Sequence, residues 1–318
     1  MLRIVFMGTP EFSCPSLERL IQRENVVGVV TQPDRPAGRG RKPTPSPVKR
    51  LAIKEGIPVY QPLKLNQSSF IHQLRKIAPD LVTVVAFGKI LSSDILSIPK
   101  ICCINLHPSL LPRYRGPAPI PRAIINGEKE TGVTIQKIEE EVDKGGIILQ
   151  QKIPIDLYDT AKSLEKKLSS LGADLLIEAI KIIKEGRVNY KVQNEIEASY
   201  APKIRKEEGR IDWTEPCLSI HNKVRGLNPY PGAFTFCEIR GKREKIKIWE
   251  TELPGGKPER RKRNPGEITQ IRKEIGFLVR GGDGVLLIKK VQLPSREAIS
   301  GYDFIKGYQI KEGVVLGG

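Results

Sequence analysis

Short, almost wholly apolar runs alternate with helix-period segments over the first 185 residues, and this constrains the fold more than any other feature. The runs are 2–7 (LRIVFM), 26–31 (VVGVVT), 80–86 (DLVTVVA), 101–106 (ICCINL) and 132–138 (GVTIQKI). Each is rich in Val and Ile, and near-continuous apolar character marks strands buried on both faces. Between them, Ser16 to Gln22 carries Leu17, Leu20 and Ile21, and Thr160 to Ile183 carries Leu164, Leu168, Leu171, Leu175, Ile177 and Ile180. Such alternation winds into an α/β, doubly wound, mainly parallel sheet with ligands at the carboxyl ends of its strands. The first strand ends in GTPEF rather than GxGxxG, so the phosphate-cradling turn of a dinucleotide site is missing. A nicotinamide or flavin dehydrogenase is disfavoured.

After Gly186 the texture changes. Residues 187–207 (RVNYKVQNEIEASYAPKIRKE) are polar, charged and without clear period. Beyond IDW at 211–213, the pattern predicts one helix near 216–226 and short strands at 233–239, 245–250, 276–280 and 284–292, separated by turns such as PGG, NPG and GGDG. The expected organisation is a Rossmann-like domain at 1–189, a linker at 190–207 and a small OB-like β-barrel at 208–318. Barrels of that kind often bind nucleic acid. The one low-complexity segment, 257–263 (KPERRKR), reads as an exposed basic loop.

Net charge is +17, high for an enzyme that handles only small anions, and it favours a polyanionic partner. The excess is shared: residues 206–318 hold 22 Lys/Arg against 15 Asp/Glu, and residues 1–205 hold 31 against 21. Five cysteines without a CxxC pair argue against a disulfide framework or a zinc site and for small buried thiols. No run approaches the ~18 apolar residues of a membrane span. The opening MLRIVFMGTP is too short and too quickly broken for a signal peptide. No membrane association and a cytoplasmic location are expected.

Three histidines are present, and His107 follows a predicted core strand in INLHPSLLPRYRGPAPI. Asn105 stands two residues earlier, so both side chains leave the same face of that strand. An imidazole can take a proton and a carboxamide can donate to a developing oxyanion. Asp143, in EEEVDKGG, is placed to fall beside His107 and orient it. Spacing alone leaves plain alternatives: an ordinary strand-end histidine, an asparagine bonding loop backbone, and an aspartate serving a turn. No metal site is indicated, since a third ligand is missing.

The chain resembles the methionyl-tRNA formyltransferases over nearly its whole length. The resemblance rests on MGTPEF at 7–12, TQPDRPAGRGRKPTPSPVK at 31–49, INLHPSLLPRYRGPAPI at 104–120, ETGVTIQKIEEEVDKGGII at 130–148 and the run ending at Trp213. It implies a formyltransferase domain followed by an OB-like tRNA-binding domain, with Asn105, His107 and Asp143 as the catalytic trio. It implies 10-formyltetrahydrofolate as formyl donor and the methionyl-initiator-tRNA, through its acceptor arm, as partner. The run Ser109, Leu110, Leu111, Pro112 is similar to the family's folate-binding stretch. Resemblance and topology together place the pterin near Phe87, Gly88, Ile90 and Leu91.

For the tRNA, the long connection 32–47 offers Arg35, Arg39, Arg41 and Lys42, and the linker offers Lys203, Arg205 and Lys206. Arg260 to Arg263 could follow the acceptor arm or be a solvated basic loop. Phe12 could line a methionine pocket or belong to the core. A formyltransferase or hydrolase of small folate substrates shares the trio, but the basic 32–47 connection joined to a basic C-terminal barrel is not expected there. A non-catalytic RNA-binding protein would not need an intact trio. A monomer is the default expectation.

Overall fold

The computed structural model describes residues 1–37, 42–254 and 264–317. In chain order the elements are β1 (Arg3–Gly8), α1 (Cys14–Arg23), β2 (Asn25–Val30), β3 (Arg35–Ala37), β4 (Lys42–Thr44), α2 (Pro47–Lys54), β5 (Val59–Tyr60), α3 (Ser68–Ile77), β6 (Leu81–Val85), α4 (Ser93–Leu96), β7 (Cys102–His107), α5 (Pro119–Ile125), β8 (Glu130–Lys137), β9 (Ile147–Pro154) and α6 (Ala161–Lys184). They continue with α7 (Cys217–Gly226), β10 (Ala233–Ile239), β11 (Lys242–Glu252), β12 (Ile268–Arg272), β13 (Gly276–Arg280), β14 (Val285–Gln292), β15 (Ile299–Ser300) and α8 (Gly301–Tyr308). The chain divides into two compact units. Unit 1 is residues 1–119, 130–154 and 165–202, and unit 2 is residues 120–129, 155–164 and 203–318. The sequence predicts a single crossing at 190–207; the observed units interleave.

Unit 1 is built on a seven-stranded sheet in the order β5-β2-β1-β6-β7-β8-β9. Strands β5 to β7 run parallel, and β8 and β9 add antiparallel pairs at one edge. Successive strands depart from β1 in opposite directions, so the switch point lies between β1 and β6. That is where an open α/β sheet leaves a crevice at its carboxyl ends. The five expected strands are all present. On one face Val5, Met7, Val82, Val84 and Cys103 pack with Phe70 and Leu74 of α3. On the other, α6 lies against β7: a Cβ on Gly172 would meet Leu106 Cδ1 at 2.7 Å. Leu106 therefore faces α6, while Asn105 and His107 leave the opposite face.

The long 32–47 connection contains two short strands. β3 and β4 pair antiparallel, with Arg35 opposite Thr44 and Pro36 opposite Pro43. The base of this ribbon is clamped, because Lys49 Nζ donates to Asp34 Oδ2 (2.7 Å) and Gln61 Oε1 (2.7 Å). Residues 187–207 also differ from a free linker: Lys191 bridges to Ile147, and Tyr200 to Arg115.

Unit 2 carries an antiparallel sheet ordered β10-β11-β14-β13-β12, with β15 on β14. Its core gathers Trp213, Ile220 and Val224 with Ile246, Ile248, Phe277, Ile288 and Phe304. All five cysteines are free and buried, and burial pushes the Cys103 thiol up to about 12. Among the described residues, no helix is long and apolar enough to cross a membrane.

His221 of α7 is enclosed in unit 2. Its Nε2 faces the Leu157 carbonyl at 3.0 Å, and its Nδ1 faces Thr251 Oγ1 at 2.9 Å. A carbonyl only accepts, so Nε2 carries the hydrogen. Burial holds this imidazole below its ordinary pKa of 6.5. The unfolded chain then binds a proton before the folded one does as pH falls. Stability conferred by His221 is complete above pH 6.5 and is lost as pH falls from there toward the depressed folded value. Urea midpoints measured from pH 7.5 to 5 should decline less in His221→Gln than in the parent. An identical decline would remove His221 as the cause.

Candidate active site

Asn105 and His107 stand at the carboxyl end of β7 because alternate residues of a strand share a face. Asp143 reaches them from the turn between β8 and β9. Its backbone is left-handed (φ 56°), a conformation that aspartate tolerates better than most residues. The carboxylate is pinned twice. Oδ2 accepts from the Gly116 backbone N–H at 2.8 Å, and Oδ1 accepts from Gln136 Nε2 at 3.1 Å. Gly116 has φ 105°, open to glycine and strained for other residues.

His107 is buried, and its Nδ1 lies 3.6 Å from Asp143 Oδ1. Its Nε2 is 2.9 Å from the Tyr114 carbonyl. The hydrogen on Nε2 is assigned from that acceptor, which leaves Nδ1 as the nitrogen available for chemistry. Asn105, His107 and Asp143 line one cavity of about 600 Å³. That volume lies within the range of about 300–1,000 Å³ usual for small-molecule sites. Its apolar wall comes from the carboxyl end of β6 and the following loop: Val84, Phe87, Ile90 and Leu91. Its polar rim includes Lys89, Lys137, Glu139 and Glu140. Lys89 donates to the Pro62 and Leu63 carbonyls, and burial first, then the Arg35 charge, lowers its pKa.

Phe87, Gly88, Ile90 and Leu91 thus lie on the cavity. Ser109, Leu110, Leu111 and Pro112 are not among its lining residues. They form a braced turn behind His107: Ser109 Oγ donates to the Arg113 carbonyl (2.7 Å), and Thr134 Oγ1 donates to the Ser109 carbonyl (2.6 Å). Phe12 is buried core, with its carbonyl accepting from Ser169 Oγ at 2.7 Å. Arg35 is exposed and donates to Gln32 Oε1. Lys203, Arg205 and Lys206 are exposed in unit 2, where the Arg205 N–H donates to Glu208 Oε1 at 2.7 Å. Lys42 begins β4. Arg39, Arg41 and Arg260 to Arg263 lie outside the described residues. Among those described, no group of three or more His, Cys, Asp or Glu could hold a metal ion.

One functional residue has no signal in the sequence. Gln193, in the aperiodic 187–207 segment, is buried and anchors the Asp143 turn. Its Nε2 donates to the Asp143 carbonyl (2.9 Å), the Gly145 carbonyl (2.8 Å) and Gln136 Oε1 (3.2 Å). Its Oε1 accepts from Arg115 Nε and Nη2, and Arg115 is held in turn by Glu195. The Arg115 guanidinium also holds the Glu195 carboxyl below its ordinary pKa.

Comparison with known proteins adds a second line of argument. The family model described as Formyl transferase matches residues 2–180, and that described as Formyl transferase, C-terminal domain matches 203–309. The methionyl-tRNA formyltransferase of Geobacter sulfurreducens is 44% identical over 317 residues, covering 99% of this chain and 97% of that protein. That of Clostridioides difficile is 44% identical over 318 residues, covering 99% and 100%. Among solved structures, the N-formyltransferase from Helicobacter canadensis aligns with a TM-score of 0.67 at 23% identity, covering 91% of this chain and 99% of that one. HypX from Aquifex aeolicus aligns at 0.62 and 19%, covering 98% and 48%. These two likenesses establish a shared fold.

The Gln193 anchor is testable without any substrate. Gln193→Ala leaves two buried carbonyls and Arg115 short of partners, at a cost of about 1–3 kcal/mol per group left unsatisfied. Hydrogen exchange read by mass spectrometry should speed up across residues 140–147, and the urea midpoint should fall. Unchanged protection there would show that the turn stands without Gln193.

Proposed function

Since the chain belongs to the methionyl-tRNA formyltransferase family, we propose that the cavity at the carboxyl ends of β6 and β7 is its formyl-transfer centre, with Asn105, His107 and Asp143 as catalytic residues. The enzyme transfers a formyl group to the amino group of methionyl-initiator-tRNA. The observation that carries the site assignment is the convergence of the three side chains on one cavity, with His107 Nδ1 and Asp143 Oδ1 3.6 Å apart.

The cavity fits a folate. Phe87, Ile90 and Leu91 offer apolar area to a pterin, and the exposed backbone at Gly88 (φ 75°) offers polar groups to its edge. Bound there, 10-formyltetrahydrofolate supplies the formyl carbon. The braced Ser109–Pro112 turn supports that site from behind by fixing His107. Asn105 donates its carboxamide hydrogen to the carbonyl oxygen as the methionyl amine attacks and negative charge grows there. His107 presents Nδ1 to the same centre, its ring held by the Tyr114 carbonyl. Asp143 takes the proton released by the attacking amine and passes it toward the departing folate nitrogen. One C–N bond forms and one breaks, leaving formylmethionyl-tRNA and tetrahydrofolate.

Recognition of the tRNA falls to the exposed cations Arg35, Lys203, Arg205 and Lys206, with Arg39, Arg41 and Lys42 in the same role. Residues 208–318 then serve as a tRNA-binding, OB-like barrel, and the enzyme works as a cytoplasmic monomer. The 32–47 connection supports the tRNA over a small acceptor, since it holds four basic residues and Arg35 begins a ribbon clamped at its base by Lys49 and Asp34.

The deciding assay supplies 10-formyltetrahydrofolate with charged initiator tRNA and follows formylmethionine. His107→Ala and Asp143→Ala should each abolish most turnover while tRNA affinity stays nearly intact. Asn105→Ala should lower turnover by about 10²–10³, the usual loss for one oxyanion donor. Near-normal turnover in His107→Ala or Asp143→Ala would overturn their catalytic roles. Lys203→Ala combined with Lys206→Ala should raise KM for the tRNA and leave kcat close to the parent value. A fall in kcat at constant KM would remove these lysines from binding.

A further inference from the structure

Gln32 follows β2 closely, and it touches both the basic ribbon and the wall of the formyl-transfer cavity. Its Oε1 accepts from Arg35 Nη2 at 2.6 Å. Its Nε2 donates to the Phe87 carbonyl at 2.8 Å. Its main chain is held as well, because Gln61 Nε2 donates to the Gln32 carbonyl at 2.9 Å and to Asp34 Oδ1 at 2.8 Å. Residues 86–91 form a continuous part of the cavity lining, and Gln32 does not line it. Gln32 therefore acts on that wall from behind.

The wall needs that support. Ala86 (φ 46°) and Gly88 (φ 75°) both turn left-handed, one on each side of Phe87. Glycine takes this conformation freely, but a left-handed alanine costs free energy and persists only where its surroundings fix it. Gln32 holds the Phe87 carbonyl, with Thr9 Oγ1 at a longer 3.4 Å. A Cβ on Gly88 would meet Gln32 Nε2 at 2.8 Å, so the carboxamide lies against the bend itself. Lys89 Nζ ties the same segment to the Pro62 and Leu63 carbonyls, directly after Gln61 in the chain. One carboxamide thus spans from a cation of the ribbon to the peptide that backs the cavity. A guanidinium has five N–H donors, so Arg35 can keep one on Gln32 and turn others to a phosphate.

We infer that Gln32 couples the two substrates: tRNA held at Arg35 steadies the cavity wall through Gln32, formyl-folate held by the wall steadies Arg35 in return, and each strengthens the binding of the other. The inference rests on the reading of the cavity as the folate site and of Arg35 as a tRNA contact. Gln32 is a positioning residue, since it stands outside the cavity. The sign follows from ordering. The ligand that arrives first fixes Arg35, Gln32 and the 86–91 segment together, and the second no longer loses free energy in fixing them. The coupling is equal in both directions by thermodynamic necessity.

The full-length protein is titrated with uncharged initiator tRNA, with and without saturating 5-formyltetrahydrofolate, whose formyl group stands on a different nitrogen from the transferable one. The folate should tighten tRNA binding about fivefold, the lower end of usual couplings between two sites, and the tRNA should tighten folate binding by the same factor. In Gln32→Ala the coupling should vanish. Gln32→Glu keeps the reach to Arg35 but sets a carboxylate against the Phe87 carbonyl, and the coupling should vanish there too. A Gln32 that merely supported the fold would lower both affinities and leave the coupling unmoved. Hydrogen exchange across residues 86–91 should slow when tRNA binds alone to the parent, and not in Gln32→Ala. Circular dichroism first checks the fold of each variant. Binding of both ligands without coupling in the parent, or coupling in the two variants equal to the parent's, overturns the inference and leaves the functional reading in place. Failure to bind the folate or the tRNA overturns both.

Discussion

The hydrogen bond from the Gly116 N–H to Asp143 holds the candidate site together. It joins two loops that leave different strands, one after β7 and one between β8 and β9. Without it, Asp143 Oδ2 loses its backbone donor, and only Gln136, on Oδ1, holds the carboxylate beside His107. Gly116 supplies a backbone that can turn at φ 105°, and Gln136 completes the grip on the second carboxylate oxygen. Gln193 then fixes the 143–144 and 145–146 peptide groups, through the carbonyls of Asp143 and Gly145. A reactive geometry thus depends on backbone groups and carboxamides, which carry no net charge and perturb the centre little.

The parts of the fold legible in the sequence are those where burial is two-sided. β1, β2, β6 and β7 lie inside the sheet, so nearly every position is apolar and the runs stand out. β9 was not visible, because it is an edge strand whose burial falls away along IILQQKIP. β5 spans only Val59 and Tyr60, too short for any period. The β3–β4 ribbon hid among prolines, which normally argue against a strand; in a two-stranded sheet both strands are edges, where proline is tolerated.

The candidate site divides in the same way. Asn105 and His107 were legible through the two-residue period of β7, and Asp143 through its Gly-rich turn and the family resemblance. Gln193 was not, since a single buried carboxamide in an aperiodic segment looks like any polar linker residue until its partners are seen. The Ser109–Pro112 run shows the reverse limit. Its match to a family stretch marks the segment but not the contacts of each side chain, and the Ser109 and Thr134 hydrogen bonds that brace the turn are seen only in the folded chain.

The interleaving of the two units has a consequence for how the chain is made. Residues 120–129 and 155–164 belong to unit 2, and a Cβ on Gly226 of α7 would meet Ile125 Cγ1 at 2.8 Å, so α7 packs closely on the α5 segment. The ribosome releases Ile124 and Ile125 roughly a hundred residues before Gly226. At roughly 5–20 residues per second, those isoleucines wait on the order of 5–20 s for the helix that covers them. During that interval the nascent chain carries Ile124 and Ile125 without the helix that packs on them.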